Sequence, residues 1–180
     1  MKKAYTASPS FTANFVQTYA PAGFSTAAPE TGRVTLQSPD QVRFDYDGPE
    51  GKLFTFDGKA ARQYVAADRQ MIVKTLAAAD RDRLPLLFFE SPESIQTRYD
   101  VAASPGENGL SELTLTLKAG GEPERIFLSV APTGDVKRLI VTDAAGNRTT
   151  FTFSQKSAGP RRPVSDFALR PPAGTKVLSD

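Results

Sequence analysis

The stretch from Gly32 to Gly58, GRVTLQSPDQVRFDYDGPEGKLFTFDG, decides the fold class of this chain. Apolar and polar residues alternate along it, which is the period of a β-strand with one buried face. Turn signals separate its runs, beginning with Ser38-Pro39-Asp40 and ending with Asp57-Gly58, a pair typical of a short hairpin. The stretch predicts an antiparallel meander whose apolar residues include Val34, Leu36, Val42, Phe44, Tyr46, Phe54 and Phe56.

Strand patterns continue on both sides of this stretch. Phe11, Phe15 and Tyr19 fit a helical spacing of four and also a strand spacing of two, and the neighbouring threonines and valine favour a strand. Further strands are predicted around Tyr64 and at Gln70 to Leu76, Ile95 to Val101, Leu110 to Leu117, Arg125 to Val130, Val136 to Thr142, Arg148 to Phe153 and Phe167 to Leu169. About eleven or twelve strands in one antiparallel sheet must curl, because strand twist accumulates.

One apolar run interrupts the strands, Leu84-Pro85-Leu86-Leu87-Phe88-Phe89. Pro85 suits the first turn of a helix, and Pro92 disfavours helical geometry before it, so the run predicts a helix of about two or three turns. A helix that is apolar on all sides must be covered on all sides. It is either a plug in the core of the curled sheet or a lid over an apolar cavity, and both interpretations are open on these residues.

Composition excludes several classes of function. The 22 Lys and Arg against 20 Asp and Glu leave a net charge of +2, with both signs spread along the chain, which gives no support for nucleic-acid binding. The chain has no cysteine and no histidine, which removes Ser-His-Asp and Cys-His nucleophiles and most zinc sites. No stretch approaches the roughly 20 apolar residues of a membrane-spanning helix. We expect no enzyme, no metal and no cofactor.

The N-terminus has the basic start of a signal peptide without its apolar segment. Met1-Lys2-Lys3 is followed by Ala4 to Pro9, which supply no apolar run. We therefore expect a start codon placed on a mature chain from which the signal peptide has been removed.

The order of strands, turns and single residues carries a family pattern. It runs through the aromatic strand that ends at Gln17, then Gly32, Pro39, Phe44, Pro49, Asp57-Gly58-Lys59, Tyr64, Gln70, the apolar run led by Pro85, and the closing segment Phe167 to Gly174. This order resembles the periplasmic outer-membrane lipoprotein carrier family, LolA, over nearly the whole chain.

The resemblance implies a mainly β fold in a single domain over residues 1–180. The fold would be one strongly curved antiparallel sheet, an unclosed β-barrel of about eleven strands, with a short apolar lid helix and an N-terminal helix. Its hydrophobic cavity would hold lipoprotein acyl chains. The candidate cavity and lid residues are Val34, Leu36, Val42, Phe44, Tyr46, Phe54, Phe56, Tyr64, Leu86, Leu87, Phe88, Phe89, Leu115, Leu117, Phe151 and Phe153.

The resemblance also implies location and partners. The protein would be a periplasmic monomer that receives lipoproteins from an inner-membrane lipoprotein-releasing ABC transporter and passes them to an outer-membrane receptor. Two positions depart from the family pattern. Ser38 stands where the family often carries an Arg that hydrogen-bonds the closed lid, and Arg62 stands where an aromatic residue is expected. Apolar contact, and not an arginine latch at position 38, would then hold the lid shut.

A function from another class is also open on this sequence. The alternative to the carrier is a LolA-like envelope sensor, or a lipid- or protein-binding β-domain, without lipoprotein transfer. A carrier needs a donor and an acceptor, whereas a sensor needs one regulatory partner. An enzyme ranks third because the chain lacks histidine.

Overall fold

The computed structural model describes residues 2–24, 26–76, 87, 90, 92–118 and 125–179. Twelve strands dominate these ranges, and they are accompanied by two short α-helices and two 3₁₀ turns, Glu107–Gly109 and Val164–Asp166. In chain order the elements are α1 (Lys2–Thr6), β1 (Ser10–Ala20), β2 (Glu30–Gln37), β3 (Gln41–Tyr46), β4 (Lys52–Phe56), β5 (Ala60–Val65), β6 (Gln70–Thr75), α2 (Pro92–Arg98), β7 (Tyr99–Pro105), β8 (Ser111–Leu117), β9 (Arg125–Val130), β10 (Val136–Thr142), β11 (Arg148–Gly159) and β12 (Lys176–Ser179).

All twelve strands belong to one sheet, in the order β12-β6-β5-β4-β3-β2-β1-β11-β10-β9-β8-β7. Neighbouring strands are antiparallel, except that β12 runs parallel to β6 at one edge. β1 lies between two meanders and pairs with β2 on one side and β11 on the other. The edge strands β12 and β7 do not pair with each other, so the sheet is not closed across the described residues.

The sheet curls around one of its faces. Laid flat, twelve strands at about 4.8 Å each would span more than about 50 Å. Yet Val42 and Phe56 in one meander belong to the same buried cluster as Leu115 and Leu128 in the other. We call the face that carries this cluster the inner face and the opposite one the outer face.

The strands predicted from the Gly32 to Gly58 stretch are confirmed. They form β2, β3 and β4 in unbroken antiparallel register, with Phe44 opposite both Val34 and Phe54. The predicted hairpin follows, because Asp57 Oδ1 accepts the backbone N–H groups of Lys59 and Ala60 at 2.9 Å each. The prediction of a strand at Phe11 to Tyr19 is also confirmed, within β1.

The strand predicted at Ile95 to Val101 is wrong over its first half. Residues Pro92–Arg98 form α2, and the strand begins only at Tyr99. Pro92 lies at the first helical position, where its missing N–H costs nothing, and Glu93 in the first turn suits the helix dipole. Ile95 and Tyr99 are four residues apart and both buried, which fits a helical spacing. The β-branched side chain of Ile95 favours a strand by propensity and obscured this signal.

The strand predicted at Phe167 to Leu169 is also wrong, and the last strand is β12. Phe167 follows a 3₁₀ turn and is fully buried in a segment that crosses the outer face. Two hydrogen bonds hold this segment there: Arg43 Nη1 donates to the Asp166 carbonyl at 2.9 Å, and the Arg162 N–H donates to Gln37 Oε1 at 2.7 Å. The conformation of this segment is therefore decided by long-range contacts with β2 and β3, and not by the pattern of apolar residues in its own sequence.

The centre of the sheet is organised by Phe15 on β1. Its ring makes edge-to-face contacts with Phe44 at 5.2 Å and Tyr46 at 5.0 Å between centroids, and with Phe151 of the other meander at 6.1 Å. Gly32 lies directly opposite Phe15 in the register. A Cβ at Gly32 would overlap the Asp45 carbonyl oxygen and would lie 2.8 Å from the Phe15 ring. Gly32, the third residue of β2, therefore leaves the space that this ring fills.

We expect Gly32→Ala to lower the free energy of unfolding by about 2 to 3 kcal/mol, because overpacking against backbone cannot be relieved by a rotamer change. Gly48→Ala is the matched control, since its added Cβ would meet only the movable Glu50 side chain. Urea unfolding of both variants measures the difference. Equal stability of the two would contradict the role given to Gly32.

Candidate functional site

The inner face gathers most of the residues predicted to line a cavity. Seven of them are nearly fully buried in a single cluster: Val34, Leu36, Val42, Phe44, Phe56, Leu87 and Leu115. Five more pack against that cluster and stay partly exposed: Tyr46, Phe54, Leu117, Phe151 and Phe153. Leu86, Phe88 and Phe89 lie outside the described residues. An apolar surface is therefore assembled from β2, β3, β4, β8 and β11.

The prediction that Tyr64 belongs with these residues is wrong. Tyr64 pairs with Leu53 and Met71, so it shares the outer face with them, whereas Phe54 pairs with Gln63 on the inner face. Arg62 lies on the outer face as well and forms an ion pair with Asp57 at 2.7 Å. An arginine at this position therefore does not meet the inner face. Its departure from the family pattern places a charge on the outer face, where Asp57 pairs with it.

Several inner-face residues were missed by sequence reasoning. They are Tyr5, Phe11, Phe15, Ile95, Tyr99, Ile126, Leu128 and Leu139, and all are buried in the same cluster. The alternation of β1 contained the signal for Phe11 and Phe15. Which face of β9 and β10 turns inward depends on their pairing with β8 and β11, and pairing is not visible in a single strand pattern.

Aromatic rings line the middle of the inner face and connect the two meanders. Phe44 of β3 lies 5.5 Å from Phe151 of β11, and Phe151 stacks on Phe153 at 6.1 Å with an interplanar angle of 3°. One polar pair marks the boundary of the apolar surface, because the Tyr46 hydroxyl donates a hydrogen bond to Gln17 Oε1 at 2.6 Å. The surface is suited to flat or linear apolar ligands and offers few polar groups to fix a head group.

Three side chains from outside the sheet cover the inner face. Tyr5 of α1, Ile95 of α2 and Leu87 are all buried in its cluster. Leu87 is only 2% exposed and is the member of the predicted lid that the structure describes. Just beyond it, the Glu90 carboxylate pairs with the Arg98 guanidinium and accepts a hydrogen bond from the Ser94 hydroxyl at 2.8 Å. Glu90, the residue that follows the predicted lid in the sequence, is therefore anchored to α2.

A lysine closes the end of the inner face beneath α1. Lys156 Nζ lies 4.0 Å from the centroid of the Tyr5 ring and 4.3 Å from that of Phe11. It donates to the Ala4 carbonyl at 2.8 Å and pairs with Asp135 at 2.5 Å. Burial of the Tyr5 phenol raises its pKa to about 12, and its hydroxyl accepts the Val136 N–H at 3.1 Å. This closure leaves a cavity of about 20 Å³, space for one water molecule.

The described residues contain no group of three or more metal-ligating carboxylates, and none of their helices is long and apolar enough to cross a membrane. The site is therefore defined by its apolar surface, its aromatic rings and its short covers. These features together define a class: an unclosed β-sheet protein with a covered apolar inner face.

The chain belongs to the outer membrane lipoprotein carrier family, LolA, whose profile matches residues 6–169. Two curated relatives bear the name outer-membrane lipoprotein carrier protein. The one from Xanthomonas oryzae pv. oryzae is 30% identical over 153 residues, which is 83% of this chain and 72% of that protein. The one from Chromobacterium violaceum is 24% identical over 179 residues, 99% of this chain and 85% of the relative.

Solved structures share the fold at low identity. An uncharacterised conserved protein from Thermus thermophilus superposes with a TM-score of 0.59 at 10% identity, covering 99% of this chain and 94% of that one. A DUF1329 family protein from Desulfovibrio piger gives a TM-score of 0.52 at 12% identity, covering 92% of each chain. The unclosed sheet is thus a recurrent architecture.

The ion pair beneath α1 makes stability depend on pH. Burial of the Asp135 carboxylate opposes ionisation, but hydrogen bonds from Lys156 and Thr133 outweigh burial and leave the pKa of Asp135 below its usual value. A lowered folded-state pKa stabilises the protein above the unfolded-state pKa of about 4, and this stabilisation is lost as the pH falls through the folded-state pKa.

We therefore expect Asp135→Asn to be less stable than the parent at pH 7 and to approach the parent as the pH falls below about 4. Urea unfolding over a pH series measures the difference. Asp68→Asn, in an exposed turn, is the control and should change stability by less than about 0.5 kcal/mol. A difference between Asp135→Asn and the parent that stays constant with pH would contradict the ion-pair assignment.

Proposed function

We propose that this chain is a periplasmic carrier that binds lipoprotein acyl chains at its inner face and shuttles them from the inner to the outer membrane. The observation that supports this most directly is the apolar cluster of the inner face, which an open sheet and short covers enclose. Membership of the carrier family and the names of the relatives support the choice of cargo. The apolar candidate residues supply no nucleophile or general base, which favours binding over catalysis.

The binding energy of such a carrier comes from burial of acyl chain. Each buried methylene contributes about 0.8 kcal/mol, so ten methylenes contribute about 8 kcal/mol. That amount is enough to carry a lipid anchor through water. A carrier must also release its cargo, and a chain sealed in a rigid closed barrel would leave very slowly.

The covers of the inner face provide the means of exchange. Fully burying a leucine side chain is worth about 1.5 to 3 kcal/mol, which is less than the burial of an acyl chain. An incoming chain therefore takes the place of Leu87, which lies in the apolar cluster, and Leu87 then covers the bound chain. The cavity beneath α1 is only about 20 Å³, which is too small for an acyl chain, so the covers must move before cargo enters there.

Closure does not use an arginine side chain at position 38 in this protein. The Ser38 carbonyl accepts a hydrogen bond from Arg161 at 3.2 Å, far along the chain in the C-terminal segment. The anchor near Leu87 is instead the pairing of Glu90 with Arg98 of α2. The cover is held by apolar contact at Leu87 and by charge just beyond it.

The partners of the carrier are a donor and an acceptor. The donor is the inner-membrane lipoprotein-releasing ABC transporter and the acceptor an outer-membrane receptor, and the carrier acts between them as a monomer. Both transfers present the acyl chains at the open side of the sheet, where the covers part.

We expect Leu87→Glu to fold and to lose binding of a fluorescent fatty acid, because a carboxylate cannot cover an acyl chain without a large desolvation cost. Leu178→Glu is the control, since Leu178 lies on the edge strand β12, is 39% exposed and is outside the apolar cluster. Probe titration together with thermal unfolding measures both properties. Binding by Leu87→Glu equal to that of the parent would sink the cover mechanism.

Native mass spectrometry of the protein purified from its own envelope separates a carrier from a sensor. We expect the mass of the chain plus lipid or lipoprotein, because cargo with about 8 kcal/mol of burial survives purification. An unliganded mass together with a single co-purifying protein would favour the sensor and reject the carrier.

A further inference from the structure

The outer face of the second meander carries a basic groove that the acyl site does not use. Arg125, Arg138 and Arg148 border an open groove of about 440 Å³. Phe127 and Ile140 form its floor, and Thr114 and Thr142 complete its lining. No carboxylate lines the groove among the described residues. The groove therefore concentrates positive charge in a protein whose net charge is only +2.

Strand register fixes the positions of the three arginines. Arg125 and Arg148 both pair with Thr142 of β10, from opposite sides, so their Cα atoms lie about 10 Å apart across the strands. Arg138 lies on β10 four residues before Thr142, about 13 Å along the strand. Phe127 and Ile140 pair with each other between these ends. The groove is therefore a triangle of cations around an apolar centre.

The guanidinium groups are not neutralised by ion pairs within the described part of the chain. Arg138 lies over the Phe127 ring at 5.4 Å, which orients it without satisfying its charge. Elsewhere on the outer face, Arg43, Arg62 and Arg162 all pair with aspartates. Arginine forks without carboxylates on a shaped surface are suited to bidentate recognition of carboxylates.

We propose that this basic groove docks an extended acidic segment of a partner protein. In a polyproline II segment, residues i and i+3 point the same way and lie about 9 Å apart, close to the spacing of Arg125 and Arg148. The apolar floor would receive a small side chain between the carboxylates. The groove between the three exposed arginines offers an extended protein segment apolar contact at Phe127 and Ile140 as well as charge, and a flat lipid surface makes no such contact with the floor.

This docking surface is independent of the proposed acyl site. It lies on the outer face, and the acyl site lies on the inner face of the same sheet. A partner bound in the groove would leave the covers at Leu87 free to move. Loss of one activity should therefore leave the other intact.

The test is fluorescence anisotropy with a labelled peptide of Glu-Pro-Pro repeats, and a Gln-Pro-Pro peptide is the control ligand. We expect the parent to bind the acidic peptide and to bind it less tightly as salt is added. Arg125→Gln/Arg138→Gln/Arg148→Gln should weaken binding about tenfold or more. The control triple Lys59→Gln/Arg170→Gln/Lys176→Gln removes the same charge from exposed sites elsewhere and should bind within about twofold of the parent.

Two further measurements keep the result decisive. The variant with all three groove arginines replaced should bind fatty acid like the parent, which shows that this variant is folded. If it does not fold, the single variants Arg125→Gln and Arg148→Gln are measured in its place. An equal loss of peptide binding in the groove variant and in the control triple variant would show that only net charge matters, and it would overturn the proposal. Binding to vesicles containing phosphatidylglycerol, without binding to the peptide, would also overturn it in favour of a membrane contact.

Discussion

The packing of Phe15 over Gly32 is the contact on which the rest of the structure depends. β1 is the strand that joins the two meanders, and its Phe15 touches rings on both sides, Phe44 in the first and Phe151 in the second. An open sheet has no closing hydrogen bonds to hold its curvature. Ring contacts across the inner face supply that constraint, since Phe44 and Phe151 cannot approach to 5.5 Å unless the sheet bends. A side chain at Gly32 would occupy the same space.

Strand alternation separates two kinds of surface on one sheet. The inner face collects aromatic and aliphatic residues and suits an apolar ligand. The outer face carries charge, and it divides at β1 into two regions. On the first meander, charged residues pair with one another and with the C-terminal segment, as Arg43 does with Asp45 and the Asp166 carbonyl. On the second, the arginines of the basic groove have no such partners among the described residues, although the strands have the same alternating pattern.

The covers of the inner face are individually small. Tyr5, Leu87 and Ile95 each bury one side chain in the cluster, and the helices that carry Tyr5 and Ile95 have only five and seven residues. Burial of three such side chains is worth about 5 to 9 kcal/mol, which is comparable with the roughly 8 kcal/mol that ten acyl methylenes would supply in the proposed exchange. Charge pairs lie just outside the apolar contacts, at Glu90 with Arg98 and at Asp135 with Lys156. Both pairs hold chain segments that cover the inner face, and Asp135 and Lys156 also line the small cavity beneath α1.

The sequence by itself determined most of the strands, the hairpin turn at Asp57-Gly58 and the family, because alternation and the order of glycines and prolines are local signals. Only the tertiary structure decided which residues share a face. The pattern around Tyr64 is the same as that of its neighbours, but its pairing with Leu53 and Met71 places it on the outer face. Ile95 lies in α2, and the structure buries it in the same inner-face cluster as Tyr99. The basic groove needed register too, since its arginines are 13 and 10 residues apart along the chain. A strand pattern reports that two faces differ, but pairing across the sheet determines which face is covered and what meets on it.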